Sequence, residues 1–306
     1  MVPMVMLVAV CVMLVAAICA VFAMLQILYV TNTSPAFKDL AEEANNVELG
    51  RENGLQPMLL NMCDESIERD DEARQFGRPR VFLHVKMVNN WEAVARLLLV
   101  SMQESNMLEF MDVHVVVLGS EENKFLMETI LIPFKNTSLR HHSTKMDEGH
   151  GPALRLMHRD ATQAEENIPM LFVHTNGVDQ GAENKFVGDW TALMTYFMIN
   201  QHKMCLMMLH RVDVCGVNFR KSPDWHFYGN FWWANSRYIK TLGYRVDMAD
   251  TDMWICERRP VAVSLWQSPL SQTGEHDTKE YHRREYDGHE LLPLCTSKVS
   301  LPFKIH

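Results

Sequence analysis

Ile168-Pro169-Met170-Leu171-Phe172-Val173-His174-Thr175-Asn176-Gly177 is an apolar run that stops on an imidazole, a hydroxyl, an amide and a glycine. A short continuous apolar run bounded in this way reads as a strand buried on both faces. Two β-branched runs precede it, Arg80–Met87 (RVFLHVKM) and Asp112–Ser120 (DVHVVVLGS). Between those two runs, Asn89–Ser105 has helical spacing opened by an Asn cap, and after them Gly151–Glu166 is helical as well. Further on, Asn184–His210 reads as a long helical stretch, one helix or two. Val212–Phe219 reads as a strand, Asn235–Gly243 as a helix stopped by its glycine, and Val261–Ser268 as a late strand. Strands alternating with helices predict an α/β fold with a mostly parallel sheet flanked by helices. Such sheets bind ligands beyond the carboxyl ends of their strands. His174, Thr175, Asn176 and Gly177 therefore stand where a phosphate or a sugar hydroxyl would be met. A polar turn around a satisfied histidine is the alternative.

The chain has 306 residues, enough for one large domain or two small ones. Met1–Val30 contains no charged side chain. That exceeds the roughly 20 apolar residues needed to cross a bilayer. Residues 1–31 are expected to be a transmembrane signal anchor; a cleaved signal peptide, or a buried helix, are the alternatives. Residues 32–79 are polar and acidic and read as a stem, leaving 80–306 as the functional domain. Lys38 is the only basic residue close to the span, so charge orients it weakly. A short N-terminus and one early span suit a single-pass type II membrane protein of the Golgi or another secretory membrane, with the domain in the lumen.

A net charge of −9 argues against nucleic acid or anionic lipid as the main partner. Of seven cysteines, Cys11 and Cys19 lie in the expected span. Cys63, Cys205, Cys215, Cys256 and Cys295 carry no CxxC or zinc spacing. Buried thiols with one bridge among them is the better reading. Asn32 and Asn136 head glycosylation tripeptides, and Asn136 is the one distant from the membrane. No GxGxxG, GxxxxGKS, GxSxG or HExxH occurs, so dinucleotide, P-loop and common hydrolase chemistries have no motif here.

Asp224–Ala234 (DWHFYGNFWWA) holds three of the seven tryptophans. Indole faces stack on pyranose rings and an amide can bond their hydroxyls, which makes Trp232, Trp233, Asn230 and His226 candidates for a sugar site, with Gly229 allowing close approach. An aromatic core cluster explains the tryptophans equally well, but His226 and Asn230 would then need partners. The segment Val246–Cys256 offers Asp247, Asp250 and Asp252. Asp250 and Asp252 suit a divalent cation with a diphosphate, or one carboxylate suits a general base. A solvated helix start also favours carboxylates. The His-rich tail at 275–290 offers Arg283 and Arg284 to a diphosphate, though a solvated face fits it better.

In order along the chain stand His174-Thr175-Asn176-Gly177, Trp190 with Met194-Thr195-Tyr196-Phe197, Gly216-Val217-Asn218, His226 to Ala234, and Asp252-Met253-Trp254-Ile255. The ordered set, spanning about residues 80–260, resembles the GT-A-like nucleotide-diphospho-sugar transferases. That family's pattern is His-Thr-Lys-Gly, a Gly-Val-Asn strand end, His-x-x-Gly-Asn-Phe-Trp-Trp-Ala and an acidic residue before Trp-Ile. The resemblance implies a GT-A-like glycosyltransferase acting on a nucleotide sugar and a glycan or glycoprotein acceptor. It implies that His174, Thr175, Asn176, Gly177, Trp190, Asn218, His226, Gly229, Asn230, Trp232 and Trp233 line the donor and acceptor pocket. Asp252 is the implied general base if the reaction inverts. Asn176 replaces the family's Lys and Asp252 its Glu. Those two departures leave room for a descendant that binds sugars without turnover. The resembled family lacks an obvious Asp-x-Asp at the usual strand end, so Mn²⁺ or Mg²⁺ is an open expectation, with Asp213 and Asp250 as candidate ligands.

Overall fold

A computed structural model describes residues 76–180, 185–221, 224–243, 251–267, 286 and 294–295. The expected membrane anchor, most of the stem, Asp250 and nearly all of the His-rich tail lie outside the described residues. Among the described residues, no helix is long and apolar enough to cross a membrane.

The expected α/β architecture forms. An eight-stranded sheet runs in the order β10-β9-β5-β8-β4-β1-β2-β3. Its strands are β1 (Arg80–Lys86), β2 (Asp112–Leu118), β3 (Thr137–Ser143), β4 (Pro169–His174), β5 (Val214–Gly216), β8 (Trp232–Asn235), β9 (Ala262–Ser264) and β10 (Leu294–Cys295). A two-residue pair, β6 (Phe219–Arg220) and β7 (His226–Phe227), forms a separate antiparallel ribbon. The pairings β3-β2-β1-β4 and β5-β9 are parallel. β8 runs antiparallel to both β4 and β5, and β10 antiparallel to β9.

The central strands β1, β2 and β4 are apolar on both sides, as parallel strands covered on two faces must be. Val81, Leu83, Val85, Leu171, Val173 and Trp233 enter one core. That core is closed by α1 (Trp91–Glu104), α2 (Glu121–Leu131), α4 (Lys185–Thr195) and α5 (His202–Met208). Phe82, Val116, Met170, Phe172 and Trp232 enter a second core beneath α3 (Gly151–Gln163). The methionines of these helices serve as fillers: Met102, Met127, Met157, Met194, Met198 and Met208 are all buried.

The Asn184–His210 stretch is broken. A π-turn at Tyr196–Asn200 separates α4 from α5, and Gln201 N–H donates to Tyr196 O at 2.8 Å. Asn90 precedes α1 but makes no side-chain cap bond. Cys205 on α5 and Cys215 on β5 form a disulfide, while Cys256 is a buried free thiol whose pKa burial pushes up to about 12. One bridge beside a buried thiol is what composition led us to expect. Residues 76–79, assigned to the stem by composition, pack on the domain: Arg78 Nε pairs with Asp112 at 2.9 Å and Gly77 N–H bonds Asn167 O at 3.0 Å. On the inner face of α3, Asp160 is buried between His114 Nδ1 at 3.1 Å and Arg80 Nη1 at 3.3 Å. Asn136 sits in a left-handed turn with its amide donating to Leu108 O at 2.6 Å. A glycan there would take one of that amide's two hydrogens and leave the other to hold the bond.

Candidate active site

Register places the candidates. β8 is antiparallel, so its amino end shares an edge with the carboxyl ends of β1 and β4. His84 pairs with His174, and Phe172 pairs with Trp232. Asn230, two residues before Trp232, thus comes level with His174, two residues after Phe172.

The aromatic stretch proves to be core. Trp232 is 1% exposed and Trp233 0%, and as neighbours on a strand they point into opposite cores. Trp232 stacks on Phe172 with ring centroids 5.3 Å apart. Trp233 Nε1–H donates to Met198 O, a carbonyl inside the π-turn, at 2.9 Å. Neither indole offers a face to a sugar, which corrects their expected role. Gly229 is likewise committed internally. Its φ is +86°, and a Cβ there would overlap Met194 Sδ and lie 2.8 Å from Trp190 Cζ2. Gly177 (φ +74°) meets Val187 in the same way. Both glycines let the edge pack against α4 rather than a ligand.

Trp232 still reaches the site through its nitrogen. Its indole N–H donates to Asn230 Oδ1 at 2.7 Å, and Asn230 Nδ2 donates to Asp252 Oδ1 at 2.9 Å. Indole only donates and a carboxylate only accepts, so the orientation of the Asn230 amide is fixed. Asn230 itself is buried in the left-handed region, φ +54°. Asp252 is its opposite: the side chain is 60% exposed. A buried relay thus holds an exposed carboxylate.

Beside it lies a histidine cluster that sequence reading did not find. His84 comes from β1, His174 from the end of β4 and His150 from the residue before α3. His150 Nδ1 is 3.1 Å from His84 Nδ1, and the His150 and His174 ring centroids are 4.4 Å apart. His150 Nε2 is 3.8 Å from Asp252 Oδ1. His174 Nε2–H donates to Gly229 O at 3.1 Å. Burial, and then the neighbouring imidazole of His150, hold His84 and His174 well below the ordinary histidine pKa. Burial lowers that of His150 as well, against the opposing charge of Asp252. His84 was hidden in an apolar strand and His150 in a helix start; only the fold brings them together.

The rest of the predicted set divides. Thr175 Oγ1 accepts from Lys86 N–H at 3.0 Å and Asn176 Nδ2 donates to Thr191 Oγ1 at 3.1 Å, so both brace the turn. A positive charge missing at Asn176 exists nearby: Lys86 Nζ, on the same edge, donates to Asp179 at 2.7 Å. Trp190 packs against Tyr228 with centroids 5.2 Å apart. Asn218 is fully buried in a left-handed turn, its N–H on Trp266 O at 2.9 Å. His226 donates from Nδ1 to Asp224 O at 2.9 Å on the β6-β7 ribbon. Among the described residues no hydrogen bond or ion pair joins His226 to Asp252.

Asp213 lies elsewhere. Val214 is level with Met170, at the start of β4, so Asp213 occupies the opposite edge. Its carboxylate accepts from Val261 N–H at 2.9 Å and staples β5 to β9. Among the described residues, no group of three or more His, Cys, Asp or Glu is placed to hold a metal ion. The described residues therefore do not compose the expected cation site.

A family model described as a domain of unknown function, DUF8361, matches residues 82–260, well over half of the chain. The chain belongs to the DUF8361 family. The matched span of this DUF8361 domain runs from Phe82 in β1 past Asp252, so the whole described cluster falls inside it. No curated protein matches the sequence. Among solved structures, one similar chain is provisionally described as a nucleotide-diphospho-sugar transferase from Desulfovibrio desulfuricans G20. It has 9% identity and a TM-score of 0.36, covering 63% of this chain and 81% of that one. Another is S. aureus TarS 1–349, with 13% identity and a TM-score of 0.33, covering 58% of this chain and 54% of that one. Likenesses this distant carry no argument about activity.

Proposed function

We propose that this DUF8361 domain is a GT-A-like glycosyltransferase that moves a sugar from a nucleotide sugar to a glycan or glycoprotein acceptor. The observation that carries the reading is an exposed Asp252 carboxylate, held by the buried Trp232–Asn230 relay at the carboxyl edge of a mostly parallel sheet. A buried apparatus that aims one exposed carboxylate is what a general base requires. The ordered motif set supports the choice of substrate. In the inverting form of the reaction, Asp252 takes the acceptor hydroxyl proton as that oxygen attacks the anomeric carbon. The bond from that carbon to the diphosphate breaks, and the nucleoside diphosphate leaves with its electron pair. Lys86, beside the His174–Gly177 turn, is the cation we assign to the donor phosphates in place of the missing lysine at position 176.

The surroundings we propose are a type II membrane anchor in residues 1–31 and a luminal, secretory-pathway domain. The Cys205–Cys215 bridge supports an oxidising compartment. The second reading, a sugar-binding protein without turnover, is favoured by Asn176, whose amide is spent on Thr191. The two separate in one assay: nucleotide release from UDP-, GDP- and CMP-sugars by the detergent-solubilised chain, with and without Mn²⁺. Release from one donor supports transfer, names the sugar and shows whether Mn²⁺ matters. Donor binding with no release supports the non-catalytic reading. Asp252→Asn should abolish release and spare donor binding; unchanged turnover removes Asp252 from the mechanism.

A further inference from the structure

The inference here rests on the sugar-transfer reading and deepens it at the Asp252 carboxylate. Two neighbours of that carboxylate address the same oxygen: Oδ1 takes the Asn230 amide at 2.9 Å and faces His150 Nε2 at 3.8 Å. The first is a hydrogen bond. The second is just beyond hydrogen-bond range and a small ring movement closes it; catalytic contacts commonly tighten when ligand binds.

The other end of the His150 ring removes its freedom. Two Nδ1 atoms 3.1 Å apart share one hydrogen, so either His84 or His150 donates. Asp252 can only accept. A neutral His150 therefore satisfies both ends in one way, carrying its hydrogen on Nε2 toward Asp252 and accepting at Nδ1 from His84 Nδ1–H. The opposite arrangement would place a bare nitrogen lone pair against a carboxylate. His84 Nε2 is buried without a well-formed hydrogen bond, and the nearby Gly149 backbone favours a hydrogen on the His84 ring, so that end of the pair competes with the assignment and does not decide it. No well-formed bond holds a hydrogen at His84 Nε2, so the Asp252 end of the His150 ring decides the tautomer. The third imidazole, His174, carries its hydrogen on Nε2, toward Gly229 O, and packs on the His150 ring. Phe172 lies edge-on to His150 with centroids 5.6 Å apart. The ring is thus held by aromatic neighbours and by one directional bond. The charged groups that act on it are Asp252, Lys86 and Asp179.

We infer that His150 is a positioning residue for Asp252, locked by His84 as the Nε2–H tautomer so that Oδ1 is clamped from two sides and Oδ2 is presented to the acceptor hydroxyl. The proton from the acceptor ends on Oδ2. His150 keeps its own hydrogen throughout, so the pair orients the base and no second proton moves.

Two measurements on the full-length chain test this. The first needs no activity: two-bond ¹H–¹⁵N spectra of the imidazoles in the ligand-free protein, at a pH where the rings are neutral. The expected result is a hydrogen on Nε2 of His150 and on Nδ1 of His84, with the His150 preference weakened in Asp252→Asn. A hydrogen on Nδ1 of His150, or spectra indifferent to Asp252→Asn, overturns the inference. The second is transfer kinetics. His150→Ala should lower kcat roughly 10- to 100-fold, the scale of a misplaced catalytic group, with the donor KM unchanged. His150→Gln, which retains an N–H donor, should recover much of the loss. Wild-type kcat in His150→Ala, or a loss confined to KM, overturns the inference. If His150→Ala does not fold, the Gln variant and the spectra decide. The expected tautomers in a wild-type chain that binds but never transfers sugar would sink the transfer reading, and the catalytic role of His150 with it. Wrong tautomers in an active enzyme would sink this inference alone.

Discussion

At the scale of single residues, Trp232 is the most informative. Its ring is core and its nitrogen is site, and the two can be separated. Trp232→Phe keeps an aromatic against Phe172 but removes the donor that orients Asn230. Transfer should fall about tenfold or more, since one positioning bond is lost, while the urea midpoint moves much less than in Trp232→Ala. Parallel losses of activity and stability would contradict the relay. Gly229 makes the complementary case. Gly229→Ala forces a left-handed backbone, worth about 1–2 kcal/mol, and an overlap with α4 worth about 1–3 kcal/mol. Urea unfolding should register a loss of a few kcal/mol. The sequence announced Asn230, His174 and Asp252, because amide, imidazole and carboxylate beside apolar runs need an explanation. It could not announce His84 or His150. Their significance is a distance, between a residue in β1 and one before α3, that no local pattern encodes. Nor could it separate sugar platform from core for Trp232 and Trp233, since both roles call for flat apolar surface.

Elements were legible where they are long or wholly apolar. β1, α1, β2, α3 and β4 appear close to their expected bounds, because buried runs and helical spacing leave little choice. β3 was invisible: Thr137–Ser143 reads Thr-Ser-Leu-Arg-His-His-Ser, the polar composition of a protected sheet edge rather than of a core strand. α2 was missed as well, being a surface helix with an acidic first turn and exposed Phe125. The Val212–Phe219 run divides into β5 and β6 at the left-handed Asn218. The π-turn has its own consequence. Trp233 bonds a carbonyl there that the irregular helix leaves to a side chain. Trp233→Phe should therefore cost about 1 kcal/mol beyond its loss of packing, readable by urea unfolding. The α5–β5 disulfide closes a loop with a sequence separation of 10. Loop entropy for that length is worth about 2–3 kcal/mol. Reductant, or Cys205→Ser, should lower the urea midpoint accordingly; an unmoved midpoint would show that the bridge is not formed in solution.

For the molecule as a whole, acid stability is set partly by Asp160. Burial works to raise its pKa, but the His114 hydrogen bond and the charges of His114, Arg80 and Arg140 outweigh burial and lower it. A carboxylate with a depressed folded pKa gives stability that is complete above its unfolded value, about 3.9. That stability is lost as pH falls through the lower folded value. Urea midpoints for the native chain should therefore decline below about pH 4, and Asp160→Asn should flatten that decline. An identical slope in the variant would take Asp160 out of the account. The sheet order carries a different consequence. β4 and β5 meet only through β8, so the two halves of the sheet stay apart until Trp232–Asn235 is made. Roughly 60 residues separate the end of β4 from β8, a few seconds of translation at about 5–20 residues per second. Throughout that interval the nascent chain carries a hydrophobic strand with one open edge. The segment that aims Asp252 is also the one on which co-translational protection from aggregation depends.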